Sequence, residues 1–191
     1  MPPAPTEPRK KLNDPVALAK RVEQSSGPLY ELFLAGRDGR VHRWHHYFDA
    51  YERHLARYRG RPLRMLEIGV QFGGSIGMWA EYFGDQATLV GVDISPAVAQ
   101  FDRMLPNVNI RVGDQRDPAF LTSVEEEFGP FDVIIDDGGH TALQQIDSFN
   151  HLYPCMAPDG VYICEDTHTS YWERFHDGGK NVSFMTYVKK L

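Results

Sequence analysis

The sequence predicts an α/β fold in which helices cover both faces of a mostly parallel sheet. Two observations predict it: strand-like and helix-like stretches alternate from residue 64 onward, and several of the strand-like runs are apolar and rich in β-branched residues. Strands that alternate with helices form parallel sheets, because each helix returns the chain to the same edge. With 191 residues, 42% of them hydrophobic, the chain suits one globular domain with an appendage.

The predicted elements follow in order along the chain. Prolines among charges in residues 1–15 predict a disordered leader, and helical periodicity over 16–60 predicts an N-terminal helical cap. The remaining residues, 61–191, are predicted to form the main domain. Its strands are expected at 64–70, 88–94, 108–113, 131–136 and 160–165. Its helices are expected at 75–83, 96–103, 117–127, 141–153 and 181–190.

Two of the predicted strands stop at adjacent acids. One run ends at Asp136 and Asp137 and leads to His140, and a second is followed by Glu165 and Asp166. The carboxyl ends of parallel strands meet at one edge, where open α/β sheets bind ligands. Four carboxylates gathered there repel one another unless a cation lies among them, so the pattern predicts bound Mg²⁺ or Ca²⁺. Alternatively, these acids only end strands and cap helices.

The first predicted strand leads into a glycine-rich turn. A dinucleotide-binding turn needs a second glycine two residues after Gly69, but this chain has Gln71 there. The sequence therefore favours a ligand without a pyrophosphate, held where Gly69 and Gly73 allow close approach of the backbone. Glu67 adds a carboxylate at the end of the same strand. A purely structural tight turn is the alternative.

Polar residues also end the second and third predicted strands. Asp93 lies where an acid accepts hydrogen bonds from both ribose hydroxyls of a nucleoside, although a capping role fits its position as well. Asp114 and Gln115 follow the third strand beside the same crevice. They are candidates to bind an adenine amino group.

Taken together, these residues resemble the class I S-adenosylmethionine-dependent methyltransferases. Residues 41–172 are more closely similar to the metal-dependent sugar O-methyltransferases of macrolide biosynthesis, of the macrocin and mycinamicin type. Relatives of that family include rhamnosyl O-methyltransferases and cephalosporin hydroxylase-like proteins. The resemblance is carried by His42-Arg43-Trp44 with His46-Tyr47, Leu66-Glu67-Ile68-Gly69 with Gly73-Gly74-Ser75, Asp136-Asp137-Gly138-Gly139-His140, and Glu165-Asp166-Thr167.

The resemblance implies a Rossmann-like methyltransferase fold and a set of ligand contacts. It implies Mg²⁺ bound by Asp137, Glu165 and Asp166, with His140 as the base that deprotonates the acceptor. The implied contacts to S-adenosylmethionine are Glu67, Gly69, Gly73, Ser75, Asp93, Asp114, Gln115 and Asp136. The implied reaction is methyl transfer to a sugar hydroxyl of a natural product or glycolipid, as in antibiotic biosynthesis.

The sequence departs from the methyltransferase pattern at its C-terminal end. Class I enzymes complete their sheet with strands 6 and 7, which are missing before the chain ends at Leu191. A fragment, or a shortened homologue whose sheet edge is exposed or covered by a partner, would explain this. Two other functions stay open: a metal-dependent hydrolase or hydroxylase-like enzyme on the same scaffold, and a truncated, non-catalytic cofactor-binding subunit.

Composition limits the classes of partner and the cellular compartment that fit this chain. A net charge of −6 argues against a nucleic-acid partner, and no run of about 18 apolar residues predicts a membrane span. The two cysteines, Cys155 and Cys164, do not form the pattern of a disulfide-stabilised protein or of a zinc site. Because reduced cysteines are typical of the cytosol, this predicts a cytoplasmic protein. The expected partner is a small glycosylated acceptor, and a homo-oligomer is compatible with the sequence.

Other histidines and aromatic residues give weaker signals. The histidines within 42–46 share one helix face but have no matching acids nearby, so packing is favoured over metal binding. His168 follows Asp166 closely and is a candidate to touch the acceptor. Tyr171 and Trp172 either form an aromatic wall against a sugar ring or belong to the core.

Overall fold

The structure, a computed structural model, describes residues 26–36, 41–179 and 182–191, and the predicted leader lies outside them. The described residues contain a five-stranded sheet in the order β3-β2-β1-β4-β5, and every neighbouring pair is parallel. The predicted parallel sheet is therefore confirmed. The strands are β1 (Leu63–Ile68), β2 (Ala87–Asp93), β3 (Val108–Val112), β4 (Phe131–Asp136) and β5 (Met156–Cys164).

The α-helices lie on both faces of the sheet, as predicted. Alternate strand residues face opposite sides, so Met65 of β1 packs in one apolar cluster while Leu66 packs in the other. The first cluster joins the sheet to α1, α2 and α3, and the second joins it to α4 and α5. The helices are α1 (Pro28–Leu34), α2 (Tyr47–Leu55), α3 (Gly74–Phe83), α4 (Pro118–Phe128), α5 (Ala142–Leu152) and α6 (Phe184–Val188).

The N-terminal helices α1 and α2 both fall within the predicted cap, whose residues 16–25 and 37–40 lie outside the described part of the chain. Leu29 of α1 and Phe48 of α2 are fully buried in the same cluster as the sheet residues. None of the helices in the described ranges combines the length and the hydropathy needed to cross a membrane.

Three predicted elements differ from the structure. The helix expected at 96–103 is a 3₁₀ helix over Pro96–Phe101. It ends there because Asp102 leaves the helical conformation, and the Asp102 carboxylate accepts a hydrogen bond from the backbone N–H of Ile110 at 2.7 Å. The helix expected at 181–190 is restricted to α6, which the Ser183 side chain caps. Strand β5 begins at Met156 instead of residue 160.

The strand order creates the crevice in which a ligand would lie. From β1 the chain proceeds to β2 and β3 on one side, whereas β4 and β5 lie on the other. The crossovers therefore leave the sheet in opposite directions next to β1 and β4, at the position where open α/β sheets bind ligands. The carboxyl ends of these two strands carry Glu67 and Asp136.

Trp79 of α3 is the largest fully buried side chain and should dominate the stability of this face. Its ring stacks on Phe83 at 5.9 Å between centroids and meets Tyr51 of α2 edge-on at 5.3 Å. We expect Trp79→Ala to lower the free energy of unfolding by about 3–5 kcal/mol, because the cavity cannot close between a helix and a sheet. Urea denaturation measures this loss, and an unchanged midpoint would contradict the assigned packing.

Candidate functional site

A cavity of about 350 Å³ lies at the carboxyl ends of β1 to β4. This volume falls in the range of small-molecule sites. Seven of the residues that sequence analysis singled out line it: Gly69, Asp93, Asp114, Gln115, Asp137, His140 and Asp166. The structure thus brings residues from four strand ends and from the segment after β5 into one pocket.

The turn after β1 is shaped by two glycines with positive φ. Gly69 has φ of +94°, and a Cβ there would lie 2.1 Å from the backbone oxygen of Asp137. Gly73, at φ of +76°, precedes α3, and a Cβ there would lie 2.8 Å from the Phe101 ring. The absence of a side chain at Gly69 therefore lets the β1 turn pack directly against the backbone that follows β4. Gly69 lines the cavity, whereas Gly73 does not.

Asp93 at the end of β2 organises the neighbouring backbone. One carboxylate oxygen accepts a hydrogen bond from the N–H of Gln71, and the other accepts one from the N–H of Ser95, both at 2.9 Å. Because each oxygen has two lone pairs, both can accept a further hydrogen bond from a ligand. The capping role and the ribose role predicted for Asp93 are therefore compatible.

Gln115 and Asp136 form a buried network under the cavity. The Gln115 amide donates to Ser148 at 2.9 Å and to Asp136 at 3.2 Å, and its oxygen accepts from the N–H of Gly139 at 2.9 Å. Asp136 also accepts from Tyr162 at 3.1 Å. Burial raises the pKa of Asp136 to about 6, although these hydrogen bonds oppose the shift. Gln115 reaches the cavity, whereas Asp136 is not in its lining.

Glu67 and Ser75 also lie beneath the cavity, outside its lining. Glu67 is fully buried, and its Oε1 accepts hydrogen bonds from Trp79 Nε1 and from Arg43, both at 3.0 Å. Burial raises the pKa of Glu67 above its ordinary value, while Arg43, Trp79 and Ser75 act against the shift. The hydrogen-bond partners of Glu67 are therefore side chains of the protein interior.

The predicted acid cluster is present, and a protein cation lies inside it. The Arg43 guanidinium makes ion pairs with Glu67 Oε1 at 3.0 Å, with Glu165 Oε2 at 3.1 Å and with Asp137 Oδ2. These three carboxylates belong to the ends of β1, β5 and β4. Part of the positive charge that the acids require is thus supplied by the segment before α2.

One guanidinium does not neutralise the whole cluster. Burial raises the pKa of Asp137 to about 8 and that of Glu165 to about 7, even though Arg43 opposes both shifts. Burial also acts to lower the pKa of Arg43, but Glu165 and Asp137 outweigh it and the net shift is upward. The carboxylates would release their protons more readily if a second cation lay beside them.

Among the described residues, Asp137, His140 and Asp166 form a group that fits such a cation. Each offers one ligand atom, and these atoms lie within 4.8 Å of one another. His140 Nε2 is 3.8 Å from Asp137 Oδ1 and 3.8 Å from Asp166 Oδ2. His140 has φ of +59° and Asp166 has φ of +49°, so both occur in the strained left-handed region that is common at functional sites.

The His140 imidazole is suited to bind a proton or a metal at Nε2. Its Nδ1 is buried and has no hydrogen-bond partner among the described residues. Burial lowers the pKa of His140 below its ordinary 6.5, although Asp166 opposes the shift. The ring is therefore neutral at pH 7 and can accept a proton. Its backbone oxygen accepts a hydrogen bond from Thr169 at 3.0 Å, which ties the loop after β4 to the segment after β5.

A second cleft of about 310 Å³ opens on the other side of Asp137 and Asp166, which line both spaces. Glu165 lines this second cleft but not the first. Its carboxylate accepts a hydrogen bond from Tyr51 at 2.5 Å, and Asp166 accepts one from Tyr47 at 2.9 Å. Glu165 is therefore occupied by Arg43 and Tyr51, whereas Asp166 keeps one oxygen directed at His140.

Trp44 lines the second cleft and is linked through the His168 ring to Trp172. The His168 ring lies edge-on to Trp44 at 6.1 Å and to Trp172 at 4.8 Å, and its Nδ1 is 3.8 Å from Asp166 Oδ1. Trp44 is 55% exposed, Trp172 44% and Tyr171 80%. The alternative that Tyr171 and Trp172 belong to the core is therefore wrong.

Arg43, Tyr47 and Tyr51 are the site residues whose roles sequence reasoning missed. Arg43 and Tyr47 contribute to the family resemblance, but the sequence assigns no role to either of them or to Tyr51. The three residues are spaced four apart, just before and within α2, and this spacing predicts that they share one helix face. The spacing does not predict which strand ends that face contacts. The predicted packing role for the nearby histidines fits His45, which pairs with the Tyr30 hydroxyl at 2.9 Å.

Residues 66–167 match the family model described as a methyltransferase domain. This segment begins in β1 and ends just after Asp166, so it contains every strand end that lines the two clefts.

Curated relatives include sugar-modifying enzymes. The chain is 36% identical over 170 residues to the 8-demethyl-8-alpha-L-rhamnosyl tetracenomycin-C 2'-O-methyltransferase of Streptomyces olivaceus, which covers 78% of this chain and 44% of the relative. It is 37% identical over 158 residues to the demethylmacrocin O-methyltransferase of Streptomyces fradiae, covering 77% of this chain and 39% of the relative. The chain thus spans less than half the length of these relatives.

A solved structure shares the fold. The MycE methyltransferase from the mycinamycin biosynthetic pathway, in complex with Mg and SAH, superposes with a TM-score of 0.75 at 31% identity. The superposition covers 87% of this chain and 48% of that one. The Rossmann-like fold predicted from the resemblance is confirmed for the described residues.

Proposed function

The chain belongs to the methyltransferase domain family, and from this membership we propose that it transfers a methyl group from S-adenosylmethionine to a sugar hydroxyl with the help of Mg²⁺. The acceptor is a glycosylated natural product or a glycolipid. The observation that carries the proposal is the group of Asp137, His140 and Asp166, in which the two aspartates line both the cavity and the second cleft. A methyl donor and a hydroxyl acceptor can meet there from opposite sides.

The cavity at the ends of β1 to β4 is the proposed site of the methyl donor. Its volume of about 350 Å³ suits a nucleoside with an amino-acid arm. In this arrangement Asp93 accepts hydrogen bonds from the ribose hydroxyls, and the polar groups of Asp114 and Gln115 lie at the adenine end. The complex of MycE with SAH supports the same use of the cavity.

Asp137 and Asp166 fit a magnesium site by their chemistry, and His140 lies beside them as the proposed base. Carboxylate oxygens are the ligands that Mg²⁺ prefers, and among the described residues the ion pairs of Arg43 reach neither Asp137 Oδ1 nor Asp166. When bound, Mg²⁺ would supply a Lewis acid that favours ionisation of the acceptor hydroxyl. We retain Glu165 as a proposed ligand, which requires its carboxylate to exchange Arg43 or Tyr51 for the metal.

His140 would take the proton from the acceptor. The acceptor oxygen attacks the methyl carbon, the carbon–sulfur bond breaks with its electron pair on sulfur, and the hydroxyl proton moves to His140 Nε2. The donor thus changes from a sulfonium to a neutral thioether. A half-buried, neutral imidazole next to two carboxylates suits this role, because the carboxylates stabilise the imidazolium that forms.

The second cleft, with its aromatic border, is the proposed acceptor site. Trp44 lines the cleft. The His168 ring links it to Trp172, with centroid distances of 6.1 Å to Trp44 and 4.8 Å to Trp172, and both tryptophans offer exposed apolar faces. A contiguous patch of exposed apolar rings with a polar rim is typical of a ligand-binding groove. We also place the reaction in the cytoplasm, since Cys155 and Cys164 are free thiols.

Asp93→Ala should weaken binding of S-adenosylhomocysteine by more than tenfold. The variant leaves two ribose hydroxyls without their acceptor, and about 1.4 kcal/mol corresponds to each factor of ten. Isothermal titration calorimetry measures the affinity. Asp85→Ala, an exposed acid in the turn before β2, is the control at the opposite edge of the sheet and should bind normally. Equal affinity in both variants would remove Asp93 from the cofactor site.

The whole proposal is tested with S-adenosylmethionine that carries a labelled methyl group. We expect label to appear in a rhamnosylated acceptor or in mycinamicin VI, on which the relatives act, only when Mg²⁺ is present. Calorimetry should detect binding of S-adenosylhomocysteine with or without Mg²⁺. A hydrolase-like enzyme would bind Mg²⁺ but no S-adenosylhomocysteine. A non-catalytic subunit would bind the cofactor and transfer no label to any acceptor.

A further inference from the structure

Arg43 lies where a positive charge competes with a metal ion for the same acids. We propose that Arg43 is a resident counter-cation that stabilises the acid cluster before Mg²⁺ binds and lowers the affinity of Asp137 and Asp166 for it. This inference rests on the proposed function, in which these acids hold Mg²⁺.

The guanidinium is built into the fold. Its side chain is 4% exposed, and it pairs with Glu67, Asp137 and Glu165, whose side chains are 0%, 16% and 2% exposed. The three acids come from different strands, whereas Arg43 precedes α2. A buried carboxylate without a partner is costly, and removing one partner of a buried pair is strongly destabilising. Arg43 therefore supplies charge that these strand ends need in the absence of any metal.

Asp137 couples Arg43 to the metal group. Its Oδ2 pairs with Arg43, while its Oδ1 faces His140 Nε2 at 3.8 Å. A metal bound to Oδ1 would thus share one carboxylate with the guanidinium, and two positive charges this close repel each other in a poorly solvated site. Loss of Arg43 would remove that repulsion and leave Glu67 and Glu165 to attract the metal as well.

Loss of Arg43 should not displace Asp137 far. The Asp137 N–H donates to the backbone oxygen of Ile68 at 2.9 Å, and its own backbone oxygen packs directly on Gly69. The backbone position of this ligand is therefore fixed without Arg43. We accordingly expect the change in charge to outweigh the change in ligand orientation.

The test compares Arg43→Met with the wild-type protein in excess chelator and in saturating Mg²⁺. In chelator the melting temperature should fall by roughly 10 °C, as expected for a broken buried ion pair in a chain of this size. Saturating Mg²⁺ should restore most of that loss. Calorimetry at constant pH should show that the variant binds Mg²⁺ about tenfold more tightly than the wild type.

Two further variants separate charge from packing. Arg43→Lys keeps the positive charge, so its Mg²⁺ affinity should stay within about threefold of the wild type while its stability in chelator falls between the other two. Arg111→Met removes an exposed arginine that pairs with Glu127 and should alter neither the Mg²⁺ affinity nor the response to Mg²⁺.

An equal loss of stability with and without Mg²⁺, together with unchanged or weaker Mg²⁺ affinity in Arg43→Met, would overturn the inference and leave the proposed function intact. A wild-type protein that does not bind Mg²⁺ would overturn both. If Arg43→Met does not fold, Arg43→Lys decides: a Mg²⁺ affinity more than tenfold from the wild-type value would contradict a role based on charge.

Discussion

Asp137→Asn is expected to lower methyl transfer by roughly 10³-fold or more. The substitution keeps the shape of the side chain but removes the negative charge that faces Arg43 on one side and His140 on the other. Stabilisation by a bound metal is worth several kcal/mol in the transition state, and about 1.4 kcal/mol corresponds to each tenfold change in rate. The measurement is steady-state turnover with a labelled methyl donor at saturating Mg²⁺.

Wild-type enzyme in excess chelator should reproduce this loss, and added Mg²⁺ should reverse it. Binding of S-adenosylhomocysteine should largely survive in both cases, because the proposed metal contacts the acceptor and not the methyl donor. Asp147→Asn is the matched control, since Asp147 pairs with Arg116 on the surface at 2.9 Å and should leave turnover unchanged. Full turnover of the wild type in chelator would exclude a metal-dependent mechanism.

The sheet could be predicted because its signals are local. Runs of apolar, β-branched residues located β1 to β4 to within two residues of their observed bounds. Strand β5 was predicted to start too late, because Pro158-Asp159-Gly160 has the composition of a turn. In the structure those residues extend the strand through an irregularity in its pairing, where Phe131 faces Met156 and Val133 faces Val161.

The acids at the strand ends were also predictable, but the direction of each side chain was not. Neighbouring residues in extended chain point to opposite sides. Asp136 accordingly turns to Gln115 and Tyr162, while Asp137 turns to Arg43 and the cavity. Adjacent acids in the sequence therefore have different surroundings, and only the registration of the sheet decides which of them faces a ligand.

Arg43 could not be located from the sequence because its contacts are distant along the chain. It is 94 residues from Asp137, and no periodicity relates the segment before α2 to a strand end. The sequence required a cation among the acids, and a metal was the simplest source of charge. The structure adds a guanidinium to the same cluster, and within the described part of the chain its ion pairs reach Glu67, Asp137 and Glu165 but not Asp166.

His140→Ala should reduce turnover by about 10²–10⁴-fold, the usual contribution of a positioned base. The structural reason is that His140 lines the proposed donor cavity, and its Nε2 lies 3.8 Å from both Asp137 and Asp166, which also line the proposed acceptor cleft. Burial lowers the pKa of His140, so the base becomes protonated at a lower pH than an ordinary histidine. The acidic decline in activity should therefore also occur at a lower pH than an ordinary histidine would give. That acidic decline in the pH–rate profile should be absent from the variant.

The same variant distinguishes a base from a metal ligand. If His140 is the base, the affinities for Mg²⁺ and S-adenosylhomocysteine stay near their wild-type values while turnover falls. If its Nε2 binds the metal instead, Mg²⁺ affinity falls as well. His151→Ala, which removes an imidazole of α5 that contacts Thr122 at 3.3 Å, is the control and should retain activity. A His140→Ala enzyme with most of its turnover and an unmoved acidic decline would make this histidine structural, and His168 or the metal alone would then account for the proton.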